Sequence, residues 1–219
     1  MTRVTIHLTR HGEVHNPEGI LYGRLPGYGL SERGRAMAER LGEFYSAPDR
    51  SVRLLMSSPL QRAQETAAPI AAALGLEPRI DERVLEAGNS FEGQQVDRGT
   101  LASPQNLVRC YNPLRPSWGE AYSDQVKRVR AAMASLRTRL EARADEAAGT
   151  PEGVIVSHQL PIWVTRLAAE GRPLWHDPRK RECALASVTS FTFESGTLVA
   201  VEYQDVCADL QPTRAVPGA

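Results

Sequence analysis

A chain of 219 residues with 42% hydrophobic and 24% charged side chains has the balance of a soluble globular domain and enough length to bury a substantial core. Lys plus Arg and Asp plus Glu both total 26, so the formal net charge is zero, which argues against a nucleic-acid-binding protein that relies on bulk positive charge. A small phosphorylated ligand needs only a local cluster of cations and is not excluded.

Val4, Ile6 and Leu8 alternate with polar residues and predict a first strand over Arg3 to Thr9. Residues 12–30 are broken by Gly12, Pro17, Gly19, Gly23, Pro26, Gly27 and Gly29 and read as a loop. Ser31 caps a predicted helix with Met37, Leu41 and Phe44 on its apolar face. Ser51 to Met56 reads as a buried strand. Ser57-Ser58-Pro59 then predicts a capping serine and Pro at the first position of a helix that runs through Ala73 and closes at Gly75. Residues 88–119, rich in Gly, Pro, Asn and Gln, read as a lid or substrate-side insertion. A long amphipathic helix is predicted from Glu120 to Ala147, with Val126, Val129, Met133, Leu136 and Leu140 on one face. A central strand over Gly153 to Ser157 and a helix over Pro161 to Ala169 come next. Strands over Ser187 to Phe193 and Leu198 to Tyr203 join at Ser195-Gly196 as a hairpin. Residues 1–205 read as one domain and 206–219 as a loose tail.

This order predicts an α/β fold, a three-layer α/β/α sandwich whose mostly parallel central sheet carries an edge hairpin and the lid insertion. In such sheets ligands sit beyond the carboxyl ends of the strands. Arg10-His11, the Ser57 to Arg62 segment and Ser157-His158 all fall at such ends, so three distant segments bring two arginines and two histidines to one sheet edge. Guanidinium forks match phosphate oxygens, and a neutral imidazole flanked by cations is a competent nucleophile at phosphorus. The leaving alkoxide then needs a proton, and Glu86, just before the insertion, is the candidate acid.

Several blocks in order now identify a resemblance. Leu8-Thr9-Arg10-His11-Gly12-Glu13 resembles the RHG signature of the histidine phosphatase (phosphoglycerate mutase-like) superfamily. Leu30 to Ala36 is similar to LTxxGxxQA, Ser57 to Ala67 to SSPLxRAxxTA, and Leu85-Glu86 with Glu92-Gly93 to the LxE…xEG stretch. Gly119-Glu120 is similar to GES and Val156-Ser157-His158 to VSHG, so the resemblance covers residues 4–195. It implies a phosphohistidine nucleophile at His11, a phosphate pocket of Arg10, Arg62 and His158, and a proton donor at Glu86. It also makes Asn16 a phosphate-binding candidate, although Asn16 stands five residues after the nucleophile and the family's phosphate-contacting Asn usually stands six after. Catalysis in the family needs no metal and no organic cofactor. The chain departs from the pattern at Val14 (usually Thr or Ser), Ala121 (usually Ser) and Gln159 (usually Gly).

The remaining polar residues carry blander readings. His7, His11 and His15 stand four apart, but four residues of strand cover about 13 Å, too far for neighbouring ligands of one metal. His176 reads as structural and Arg179-Lys180-Arg181 as a solvated turn, with a second anion contact as its alternative. Arg109, Arg115, Trp118 and Tyr122 either contact the substrate or pack the insertion. Cys110, Cys183 and Cys207 form no CxxC pair and read as reduced thiols. With no secretory-type leader and no run of ~18 apolar residues, the expected location is the cytoplasm, with no membrane or nucleic-acid partner. The expected partner is a small phosphorylated metabolite. Phosphomonoester hydrolysis leads, because Glu86-Ala87-Gly88-Asn89 stands where mutases of the family carry ERHYG; a mutase and a catalytically silent phosphate-binding protein are the alternatives.

Overall fold

The computed structural model describes residues 2–95, 119–143 and 149–213. Within them six strands, β1 (Arg3–Arg10), β2 (Val52–Ser57), β3 (Arg79–Ile80), β4 (Glu152–Ser157), β5 (Val188–Glu194) and β6 (Thr197–Gln204), form one sheet in the order β3-β2-β4-β1-β5-β6. The four strands from β3 to β1 are parallel, and β5 and β6 add an antiparallel hairpin at the other edge. Ser195 and Gly196 both take positive φ at its turn, the geometry that matches strand twist.

Among the described residues four helices cover the sheet: α1 (Glu32–Tyr45), α2 (Gln61–Leu74), α3 (Tyr122–Glu141) and α4 (Gln159–Ala169). Side-chain alternation divides the core between two layers. Val4, Ile6 and Leu8 of β1, Leu54 and Met56 of β2 and Ile155 of β4 pack against Val129, Met133, Leu136 and Leu140 of α3 and Ile162 of α4. Val154 and Val156 of β4 and Val52 and Leu55 of β2 pack on Met37, Leu41 and Tyr45 of α1 and Ala67 and Ile70 of α2. A register shift between Val52 and Leu54 puts Val52 on the face of Leu55. The α1 face of β1 is polar: Thr9 bonds the Tyr45 hydroxyl at 2.6 Å, and His7 bonds Ser190 at 2.8 Å and lies 3.3 Å from the Glu152 carboxylate. His7 is therefore a structural residue of the sheet.

The expected α/β sandwich with its edge hairpin is the observed fold, with local corrections. Tyr45, not Phe44, completes the buried stripe of α1. Pro59 does not open α2; Leu60 is the N-cap, and Ser58 turns its hydroxyl to other partners. The stretch expected to be loose after residue 205 docks through residue 211. Cys207 is fully buried and Gln211 donates to the Leu185 carbonyl at 2.8 Å. Residues 214–219 lie outside the described residues, as do 96–118 of the expected insertion and 144–148 at the predicted end of the long helix. The two ends of the insertion meet at a bridge between Asn89 and Gly119.

Two glycines show how closely α1 approaches the loop after β1. A Cβ on Gly12 would stand 2.6 Å from the Gly34 carbonyl oxygen, and a Cβ on Gly34 would overlap the Glu13 carbonyl. Both obstacles are backbone and cannot rotate away. Ser31 caps α1 by accepting from the Gly34 N–H at 3.0 Å, and its own N–H donates to the Glu13 carbonyl at 2.9 Å. Propensity alone would reward Gly34→Ala by about 1 kcal/mol. The steric conflict reverses the sign, and urea unfolding of Gly34→Ala is expected to show a net loss of roughly 1–3 kcal/mol; a stabilised variant would contradict this packing.

Candidate active site

The sheet assembles the site through adjacent strand ends. β2, β4 and β1 are neighbours, with Ser57 in register with Val156 and Arg10 with Ser157. As the strands run out, the His11 N–H donates to the Ser157 carbonyl at 3.1 Å and the Ser58 N–H to the Val156 carbonyl at 3.0 Å. His158 then becomes the N-cap of α4. The Thr66 hydroxyl donates to the Arg62 carbonyl at 2.7 Å and accepts from the Gly12 N–H at 3.1 Å, tying the loop after β1 to α2. Behind Arg10 the chain folds tightly. Ala186 takes a φ of 54° in the left-handed region and donates its N–H to the His11 carbonyl at 3.2 Å.

Arg10, His11, Arg62 and His158 are 4%, 1%, 1% and 0% exposed. The His11 and His158 rings lie 5.2 Å apart, tilted by 57°. His11 Nδ1 is 2.8 Å from the Gly12 carbonyl. A carbonyl only accepts, so Nδ1 carries the proton and Nε2 is left with its lone pair. His158 Nε2 bonds the Ser58 hydroxyl at 2.8 Å, while its Nδ1 is buried without a partner. Arg62 donates to the Gly23 carbonyl at 2.7 Å, with its guanidinium 4.7 Å from the Tyr22 ring centroid. Arg10 donates to the Cys183 carbonyl at 2.6 Å. Among the described residues neither guanidinium has a carboxylate within ion-pair distance, and the Nε of each is buried without a partner.

Burial, and then the positive charge of Arg62, hold both imidazoles well below the ordinary histidine pKa. Arg10 depresses both further. Both rings are therefore neutral at pH 7.

Glu86 is held from behind. Arg128 donates to the carbonyls of Arg83 (2.8 Å) and Leu85 (2.6 Å), and Arg24 Nε donates to that of Glu86 (2.7 Å). The Glu120 carboxylate joins the two cations, accepting from Arg128 at 2.7 and 3.0 Å and from Arg24 at 2.9 Å. This fixes the backbone around residue 86, while among the described residues the Glu86 carboxylate accepts only from its neighbour, the Ala87 N–H at 2.8 Å. Glu86 faces a cleft lined also by Gly23, Asn89, Tyr122, Gln159 and Arg181. It lies close enough to Arg62 to favour that guanidinium's charged form against the effect of burial.

The structure thus brings Arg10, His11, Arg62 and His158 together, with Glu86 on the adjoining cleft. The Asn16 amide donates to the Ile20 carbonyl at 2.9 Å and accepts from the Ile20 N–H at 3.1 Å, bracing the loop. His15 is exposed, and no group of three or more His, Cys, Asp or Glu suited to hold a metal occurs among the described residues. Sequence reasoning missed Ser58 as the partner of His158, Tyr22 as the lid over Arg62, and the Arg128–Glu120–Arg24 clamp. Ser58 was visible within its motif; Arg128 looked like any charge on a long helix. No helix among the described residues is long and apolar enough to cross a membrane.

Comparison with known proteins gives the same picture. A family model described as "Histidine phosphatase superfamily (branch 1)" matches residues 6–206. The chain is 48% identical over 205 residues to the uncharacterized protein Rv0525 of Mycobacterium tuberculosis, covering 93% of this chain and 96% of that one. It is 29% identical over 193 residues to the probable phosphoglycerate mutase GpmB of Salmonella choleraesuis, covering 84% and 83%. Among solved structures, mycobacterial glucosyl-3-phosphoglycerate phosphatase Rv2419c superposes with a TM-score of 0.71 at 25% identity, covering 92% of this chain and 96% of that one.

The two buried histidines also set a pH dependence of stability. In the unfolded chain each takes a proton near its ordinary pKa of 6.5, whereas in the fold each stays neutral to lower pH. Their effect leaves stability intact above pH 6.5 and erodes it as pH falls from 6.5 toward the folded-state values. Urea unfolding at pH 7.5 and about 5.5 is expected to show a loss approaching ~1.4 kcal/mol per pH unit for each histidine. A flat profile across that window would contradict neutral burial.

Proposed function

Because the chain belongs to the histidine phosphatase superfamily, we propose that it is a metal-independent phosphomonoester hydrolase acting through a phosphohistidine at His11. The observation that carries this reading is the bare Nε2 of His11, fixed by the Nδ1 bond to Gly12 and flanked by two buried guanidiniums. Arg10, Arg62 and His158 hold the non-bridging phosphate oxygens. In this reading the Ser58 hydroxyl, which also accepts from the Leu60 N–H at 3.4 Å, gives its hydrogen to His158 Nε2, and the imidazole proton of His158 sits on Nδ1 as the donor to phosphate.

His11 Nε2 attacks phosphorus as the ester P–O bond breaks, and the carboxylic acid of Glu86 gives its proton to the departing oxygen. Water then attacks the phosphohistidine and passes its proton to Glu86. The N–P bond breaks, restoring neutral His11 and releasing inorganic phosphate. The sum is phosphomonoester plus water to alcohol plus phosphate. Asn16 braces the loop after the nucleophile through its two bonds to Ile20.

Hydrolysis is favoured over mutase chemistry by Glu86-Ala87-Gly88-Asn89, which lacks the basic and aromatic residues of the mutase stretch. The similar mycobacterial structure is named a phosphatase. The mutase reading has the Salmonella relative on its side. The substrate is a small phosphorylated metabolite. A cytoplasmic location belongs to the same reading, supported by the free, buried thiols of Cys183 and Cys207, both pushed up to about 11 by burial.

Hydrolysis of phenyl phosphate in EDTA, with trapping of a phosphohistidine at position 11, tests the reading. Both are expected in the native protein and neither in His11→Ala; activity that survives His11→Ala or disappears with EDTA would overturn it. Glu86→Gln is expected to lower kcat/KM on an alkyl phosphate by roughly 10²-fold or more. Its effect on 4-nitrophenyl phosphate should be smaller, because that leaving group needs little protonation. Equal losses on the two substrates would remove Glu86 as the proton donor.

A further inference from the structure

Three features left outside the proposed chemistry meet at one point: the Arg179-Lys180-Arg181 cluster, His176, and Gln159, where the family usually has Gly. Arg179 is the solvated residue the sequence suggested, highly exposed and paired with Asp177 at 2.7 Å. Arg181 instead turns inward. Its Nε donates to His176 Nε2 at 2.8 Å, and another guanidinium nitrogen donates to Gln159 Oε1 at 3.1 Å. Both acceptors are neutral groups. Three nearby carboxylates are engaged elsewhere, Asp177 with Arg179, Glu182 with Arg166, and Glu120 with Arg128 and Arg24, while Glu86, on the same cleft, favours the charged form of Arg181 without forming an ion pair with it. Among the described residues Arg181 has no carboxylate within ion-pair distance.

Its position is built from behind. The His176 Nδ1–H donates to the Leu174 carbonyl at 2.7 Å, which leaves Nε2 bare to accept from Arg181. The imidazole lies 5.4 Å from the Tyr122 ring of α3 and 6.0 Å from the Trp163 ring of α4, so both helices fix it. Arg181 and Gln159 line the cleft that holds Glu86 and also the adjoining hollow that holds Arg10. A phosphomonoester seated at His11 with its ester oxygen toward Glu86 sends the rest of its structure past this guanidinium.

We infer that Arg181, oriented by His176 and Gln159, is a second anion anchor, and that the substrate is a phosphomonoester carrying a further anionic group, a carboxylate or a second phosphate. The inference rests on the phosphatase reading only for the place of the scissile phosphate. A guanidinium with its charge unpaired and two donor positions pinned recognises a planar oxyanion with little ordering cost. His176 is here a positioning residue.

Calorimetry with benzylphosphonates tests this without turnover. The 2-, 3- and 4-carboxy compounds are each compared with their uncharged carbamoyl counterparts, and the preference is taken as a ratio within each protein. The native protein is expected to favour at least one carboxylate roughly tenfold or more. Arg181→Met should reduce that ratio to about one, Arg181→Lys should keep part of it, and His176→Gln should keep more of it than His176→Phe. A native ratio near one at all three ring positions, or one unchanged in Arg181→Met, would overturn the anchor. Phenyl phosphate hydrolysis reads the other claim separately. Turnover without a carboxylate preference removes the anchor and leaves the phosphatase. An Arg181-dependent preference without turnover upholds the anchor and removes the phosphatase.

Discussion

Two buried guanidiniums without a counterion among the described residues govern this structure. Arg10 and Arg62 are almost wholly removed from water, and their assigned bonds run to the backbone carbonyls of Cys183 and Gly23. Carbonyl dipoles offset only part of the cost of burying an ion, which in proteins is several kcal/mol when no opposite charge is at hand. The fold carries that cost in one place, between the ends of β1, β2 and β4. The same field, together with burial, keeps His11 and His158 neutral. In the proposed function a phosphate dianion answers both, supplying the missing charge and meeting an imidazole whose Nε2 is free.

Everything around this centre serves to hold it rigid. Parallel strands fix the spacing of the three segments, and Gly12 and Gly34 let the loop after β1 lie against the first turn of α1. Thr66 joins that loop to α2. The left-handed Ala186 bends the chain behind Arg10. Glu86 belongs to a second assembly, in which Arg128, Glu120 and Arg24 clamp backbone carbonyls and leave the carboxylate toward the cleft. The end of the site that holds phosphate in the proposed reaction is thus fixed by the sheet, and the end proposed for the leaving group by α3 and the loop it grips.

The sequence disclosed the parts of this arrangement that depend on period and motif. Alternation in β1 and the ordered blocks placed Arg10, His11, Arg62 and His158 at one sheet edge, because strand ends in a parallel sheet share a side. Contacts that turn on loop geometry were not legible. Asn16 bonds a backbone four residues ahead, which no spacing rule announces. Arg181 looked solvated beside Arg179 and Lys180, since its acceptors lie 5 and 22 positions away in sequence. Pro59 resembled a helix start, yet Ser58 is drawn to His158 and the helix begins at Gln61. In α1, helical spacing admits Phe44 and Tyr45 alike, and the Thr9 hydroxyl at 2.6 Å selects the tyrosine.

The account turns on the protonation state of one ring. Nitrogen-15 NMR of the histidine side chains at pH 7, with His11 assigned by substitution, reads that state directly. We expect a neutral His11 with its proton on Nδ1 and an unprotonated Nε2. A cationic ring, or a proton on Nε2, would leave no lone pair on Nε2 to attack phosphorus and would contradict the account.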